Sequence, residues 1–171
     1  MKKVILLFLG LVICISTASC KAEYQPAKES GSTSTQETNA EKTYGINESV
    51  TLDDLRFTAN EIKVSEGDEF FTPQSGNVFI GVNFTVENIS DEEQSVSSPL
   101  LFDAYADDAK CDYSFNAACA FYDGELDGSI APGKRLAGWY AVEVPENWSK
   151  LELNVKSSWL ASKTAVFAFN R

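Results

Sequence analysis

Val78-Phe-Ile-Gly-Val-Asn-Phe-Thr-Val-Glu87 is the stretch on which the fold turns. Val78, Ile80, Val82, Phe84 and Val86 alternate with Phe79, Gly81, Asn83, Thr85 and Glu87. Successive side chains of a strand point to opposite faces, so this alternation places the first set on one buried face. Asn88-Ile-Ser-Asp91 then reads as a turn that ends the strand.

The same period runs outward in both directions. Leu55, Phe57 and Ala59 share a face, after which the apolar phase moves to Ile62 and Val64. That switch predicts a bulge or bend near Asn60. Downstream, Leu100-Leu-Phe-Asp-Ala-Tyr105 predicts a further strand. Leu136, Tyr140, Val142 and Val144 alternate in another that stops at Pro145, which has no N–H for a ladder. Leu151, Leu153 and Val155 mark the next, and Ala165, Phe167 and Phe169 the last. No convincing helix appears. About seven to eight short strands separated by polar turns predict an all-β, antiparallel sandwich over residues 45–171. A domain of that size builds a core without metal or multiple disulfides.

GNVFIGVNFTVENIS, LLFDAYADD and SIAPGKRLAGWYAVEVPENWSKLELNV together resemble domain of unknown function 4352, common in bacterial surface lipoproteins. The shared pattern is a long strand ending in a Val-x-Asn turn, then a Pro-Gly-Lys turn leading into an aromatic-rich strand closed by proline. The resemblance implies an immunoglobulin-like sandwich related to a secreted mycobacterial immunoprotective antigen. It implies no activity and carries no site residue.

The N-terminus reads as an export signal. Lys2 and Lys3 precede an apolar run from Val4 to Ile15, and small residues Ser16 to Ser19 lead to Cys20. This is the layout of a secretory signal peptide, residues 1–19, and the run is shorter than the roughly 20 residues a membrane span needs. The site is similar to a bacterial lipobox, with Thr17 where an apolar residue is usual. Cys20 is thus expected to carry a diacylglyceryl anchor, the alternative being plain secretion. Two acyl chains suffice to hold a protein at the outer surface of the cell membrane. Residues 20–44 continue with Ser, Thr, Glu and Lys and no large aliphatic, the composition of a disordered tether.

Charge and composition exclude several function classes. The chain carries a net charge of −11, and loss of Lys2 and Lys3 with the signal makes it more acidic still. Nucleic acid is therefore excluded as a partner. The chain contains no histidine, which removes Ser-His-Asp and Cys-His catalysis and every His-ligated metal site. No Ser-x-x-Lys pair replaces it. Cys111 and Cys119, the two cysteines left after the signal and the lipid site, are expected to form a disulfide. Two free thiols are the alternative, with redox catalysis or metal binding a remote third.

Three further motifs each have a structural explanation. Gly128-Ser-Ile-Ala-Pro-Gly133-Lys134 has the Gly-x4-Gly-Lys spacing of a P-loop, but Arg135 stands where a Ser or Thr is needed and a strand follows. It reads as a Pro-Gly turn. Asp123, Glu125 and Asp127 resemble half of an EF-hand loop, but Lys134 replaces the bidentate Glu. They remain calcium candidates against the reading of an acidic solvated loop. Trp139, Trp148 and Trp159 are either a platform for a sugar or peptide or ordinary packing. The sequons at Asn47, Asn83, Asn88 and Asn147 read as chance.

These readings converge on a non-enzymatic, lipid-anchored surface module that engages a protein or envelope polymer through loops or an exposed sheet, with no cofactor. The alternatives are a calcium-dependent adhesion module and a glycan hydrolase using two carboxylates.

Overall fold

The computed structural model describes residues 42–171 except 122, 123, 125 and 162. The signal peptide, Cys20 and the tether up to residue 41 lie outside the described residues, as do Asp123 and Glu125. In chain order the elements are β1 (Thr43–Tyr44), β2 (Ser49–Leu52), β3 (Leu55–Ser65), β4 (Asn77–Asn88), β5 (Gln94–Ser97), α1 (Ser98–Leu101), β6 (Phe102–Ala106), β7 (Ala109–Cys111), α2 (Phe115–Cys119), β8 (Asp127–Ile130), β9 (Arg135–Pro145), β10 (Lys150–Lys156) and β11 (Thr164–Asn170).

The strands form a sandwich. One sheet has the order β1-β11-β10-β6-β7, the other β2-β3-β4-β9, and β5 pairs with β8 in a separate ribbon. All pairings are antiparallel except β1 with β11. The expected inward face of β4 is observed: Ile80, Val82, Phe84 and Val86 are buried in the main core. They meet Phe102, Leu153 and Phe167 from the facing sheet. Phe84 sits edge-on to both Phe102 and Phe167, each 5.1 Å away between ring centres. The predicted bulge is also present, as a register shift between Ala59 and Glu61 in the β3–β4 ladder.

Two expectations need correcting. The strand expected from Leu100 starts only at Phe102, because Ser98–Leu101 form a single helical turn. Pro99 stands in its first turn, where a missing N–H costs nothing and the fixed φ suits a helix. A second helical turn, α2, lies between β7 and β8, with Ser114 Oγ accepting from Ala117 N at 3.2 Å. Both are too short to show a 3.6-residue period. The strands not predicted from the alternation, β1, β2, β5, β7 and β8, span two to four residues each.

A buried asparagine joins two turns. Asn88 is fully buried at the end of β4. Its Nδ2 donates to the carbonyls of Glu92 (2.7 Å) and Ile130 (2.8 Å). Its Oδ1 accepts from Ser90 N (2.9 Å) and Ser90 Oγ (2.8 Å). The turn after β4 is thereby fixed to the turn before β9. In that second turn Lys134 N donates to Ala131 O at 3.0 Å, and Gly133 has φ +66°. This is the Pro-Gly turn expected of Gly128–Lys134; the segment enters a strand and not a helix, so the P-loop spacing has no phosphate-binding counterpart.

Candidate functional site

The outer face of the four-stranded sheet is unlike an ordinary solvated sheet face: half of it is clad and half is open. The cladding is the excursion from Asp112 to Leu126, between β7 and β8. Ala117 of α2 is buried on Phe79 and Ala141 of the sheet. Phe121 lies over Gly81, where an added Cβ would stand 2.8 Å from its ring. The same ring stacks on Trp139 with 5.1 Å between centres and 24° between planes. Lys63 Nζ covers the Trp139 ring at 4.7 Å. Gly81 thus has a positional reason: only a residue without a side chain lets an aromatic ring approach the strand this closely.

The excursion also covers the free edge of β9. Tyr113 bridges Val142, and Trp139 N donates to Gly124 O at 3.3 Å. A long exposed edge strand invites aggregation, so this cover has a protective effect. Beside it opens an aromatic cleft of about 400 Å3 whose walls include Phe71, Tyr113, Phe115, Phe121 and Trp139. Phe115 is 68% exposed at its rim. On the other side of Tyr113 lies a more polar cleft of about 720 Å3 that includes Asp107, Lys110, Cys111 and Glu143.

The open half lies along β2, β3, β4 and the start of β9. Ser49, Arg56, Thr58, Asn60, Thr85, Glu87, Lys134 and Arg135 border a shallow cleft of about 660 Å3. Arg56 Nη1 donates to Glu87 Oε2 at 2.8 Å. Ser49 and Thr58 share a hydroxyl hydrogen bond of 2.8 Å. Asn60 Nδ2 donates to Asn83 Oδ1 (2.7 Å) and Thr85 Oγ1 (3.0 Å). Trp139 and Arg135 share this face of β9, four residues or about 13 Å apart.

The chain matches the family model of a domain of unknown function, DUF4352, over residues 44–166. The chain is a member of the DUF4352 family. Three solved structures resemble this DUF4352 protein. The candidate lipoprotein ycdA of Bacillus subtilis subsp. subtilis strain 168 is 15% identical, with a TM-score of 0.57 over 71% of this chain and 38% of its own. The yjhA protein of Bacillus subtilis is 18% identical, with a TM-score of 0.55 over 75% of this chain and 100% of its own. A conserved hypothetical protein of Bacillus anthracis is 18% identical, with a TM-score of 0.52 over 73% and 95%. At such identities the likeness is one of fold. The DUF4352 chain spans well under half the length of ycdA. None of the curated proteins matches it.

The residues singled out in the sequence are placed as follows. Asp127 is held by Ser98, whose N donates to one carboxylate oxygen (2.9 Å) and whose Oγ donates to the other (2.8 Å). Its carboxylate ties β8 to α1. Among the described residues no three His, Cys, Asp or Glu side chains gather as a metal site. The expected bridge between Cys111 and Cys119 is not formed in the structure; both thiols are free. Cys111 packs against the main core, whereas Cys119 lines the aromatic cleft. Burial pushes the Cys111 thiol above its ordinary pKa. The three tryptophans do not form one platform. Trp148 is in the main core, Trp139 lies buried beneath Phe121, and Trp159 is exposed after β10. Phe121 is not singled out by any motif of the sequence, and Lys134 and Arg135 figure there only within the P-loop and EF-hand comparisons, not as an exposed pair of cations. Gly81, interrupting an apolar alternation, was the available signal for the first.

Proposed function

We propose that this DUF4352 protein is a non-enzymatic binding module, held at the outer face of the cell membrane by lipid on Cys20, that engages an envelope ligand through the outer face of its four-stranded sheet. The observation that carries this reading is the division of that face. The excursion builds an aromatic cleft over one half and leaves the other half polar and open. Protection of the β9 edge accounts for the cover itself, but not for the exposed Phe115 at the cleft's rim or for the polar open half.

Two observations support a module without catalytic chemistry. The chain has no histidine. Three carboxylates beside the excursion are engaged by protein donors: Asp127 by Ser98, Glu143 by Gln74 N and Asn77 Nδ2 (both 2.8 Å), and Asp107 by Ser149 N and Lys150 N. The candidate lipoprotein ycdA and the lipobox-like segment ending at Cys20 support the anchor.

The test is site-specific photocrosslinking on intact cells. A photoreactive residue at Thr58 or Phe115 samples the proposed face; one at Asn154, on the outward side of β10, samples the opposite sheet. Discrete adducts from Thr58 and Phe115, and none from Asn154, are expected. Equal labelling from all three positions would overturn the reading.

A further inference from the structure

We infer that the open half of this face binds a hydroxyl-rich polyanion, a polyol- or sugar-phosphate chain. This deepens the reading above and rests on it. The decisive feature is an unspent pair of cations. In a chain with a net charge of −11, acids greatly outnumber bases. Among the described residues, every other Lys and Arg has an acidic, aromatic or carbonyl partner. Lys134 and Arg135 alone have none, and they are adjacent in sequence and border the same cleft.

The backbone fixes where both residues lie. Lys134 N donates to Ala131 O at 3.0 Å, and Lys134 O accepts from Asn88 N at 2.9 Å. Arg135 opens β9 directly across from Glu87. Glu87 already receives Arg56 at 2.8 Å, so the cleft's one carboxylate is neutralised and the local balance is positive. Both cations are exposed, and the hydrogen-bonded turn and the start of β9 set their backbone before a ligand arrives, which lowers the ordering cost of binding.

The remaining walls select among anions. Ser49, Thr58, Asn60 and Thr85 offer hydroxyl and amide groups suited to the hydroxyls of a polyol. The nearest large ring on this face, Trp139, lies beneath Phe121 and gives no platform for stacking bases. The cleft's lining holds no apolar side chain to insert into a lipid surface. Charge complementarity with hydroxyl recognition is what a phosphate-linked polyol supplies.

The test titrates the full purified chain with a synthetic glycerol phosphate oligomer, an uncharged polyol oligomer of equal length, and anionic phospholipid vesicles. Saturable binding to the phosphate oligomer, weakened by salt, is expected. Lys134→Ser with Arg135→Ser should reduce that affinity by about tenfold or more, since charge-assisted contacts are lost. The control pair Lys42→Ser with Lys163→Ser, of equal charge change, should reduce it less than twofold to threefold, on the order of screened long-range terms. Melting curves confirm that each variant is folded. The inference is overturned by absent binding to the oligomer, by equal binding of the uncharged polymer, by equal loss in the control pair, or by binding to vesicles alone. If any of these occurs while Thr58 and Phe115 still crosslink on cells, the ligand class is wrong and the binding face stands. If the crosslinks fail too, both readings fall.

Discussion

Replacing Asn88 by alanine should unfold this domain more readily than any surface change, and the size of the effect follows from its bonds. The side chain makes four hydrogen bonds, two donated from Nδ2 and two accepted by Oδ1. The bond to Ile130 O is buried, so its loss leaves a carbonyl without water or partner, at about 1–3 kcal/mol. The other three reach Glu92 and Ser90, where solvent replaces part of the loss, at about 0.5–1 kcal/mol each. Allowing for non-additivity, Asn88→Ala should cost about 3–4 kcal/mol. For a domain of this size that lowers the melting temperature by roughly 10–15 °C. Asn88→Asp should be at least as damaging at neutral pH, because it sets carboxylate oxygens against two carbonyls. Ser90→Ala removes only one of the four bonds and should cost about 1 kcal/mol. Chemical denaturation of the three variants is the assay. An Asn88→Ala protein within about 1 kcal/mol of the parent, or an equally tolerated Asp, would refute the idea that this amide joins the two turns.

Gly81→Ala should displace Phe121 from the sheet, lowering stability by about 1–3 kcal/mol and changing tryptophan fluorescence as Trp139 loses its cover; an unchanged spectrum would mean that the ring does not rest on this glycine. Asp103 is held below its ordinary pKa by hydrogen bonds from Lys156 and Lys110. Its contribution is therefore full above the ordinary carboxylate range and lost as pH falls through the lowered value, so the penalty of Asp103→Asn, under about 1 kcal/mol at pH 7, should vanish in acid when melting temperatures are compared. In the native, non-reduced protein both cysteines should alkylate, Cys111 slowly because burial raises its thiol pKa; a protein that takes up no reagent and is two hydrogens lighter contains the bridge after all. Cys20→Ala should move the protein from the membrane fraction into the medium or leave an uncleaved precursor, and a cleaved variant that still fractionates with membrane would contradict the lipid anchor.

The sandwich was legible where strands are long. β3, β4, β9, β10 and β11 are seven to twelve residues long and each holds at least three alternate buried apolar residues, enough for period two to stand out. Even the bulge at Asn60 showed as a phase change between Ala59 and Ile62. The shorter elements carried no such signal. β8 buries only Ile130 of its four residues and is placed by its pairing with β5. The single turn at Ser98–Leu101 competed with an apolar run that suits a strand equally well, and Pro99 decided the outcome.

The candidate site was much less legible, for a physical reason that differs between its two halves. The clad half depends on a segment with weak periodicity folding over a strand whose outward residues, Phe79 and Gly81, look in sequence like half of a plain alternation. A phenylalanine pointing away from the core, two residues before a glycine, is the trace of a second small core, but its partners Ala117, Ala141 and Phe121 lie some 35 to 60 positions downstream. The open half is harder still, because its character lies in which charges are left unpaired. Arg56 finds Glu87 across 31 residues of sequence, and only the β3–β4 register sets them side by side. Arg135 stands opposite the same Glu87 from the other flank, so one carboxylate lies between two guanidinium groups and only one of them receives it. Composition counts such charges as a surplus of acid. Register converts that surplus into a local deficit at the start of β9, and it is on this deficit, not on composition, that the proposed anion site depends.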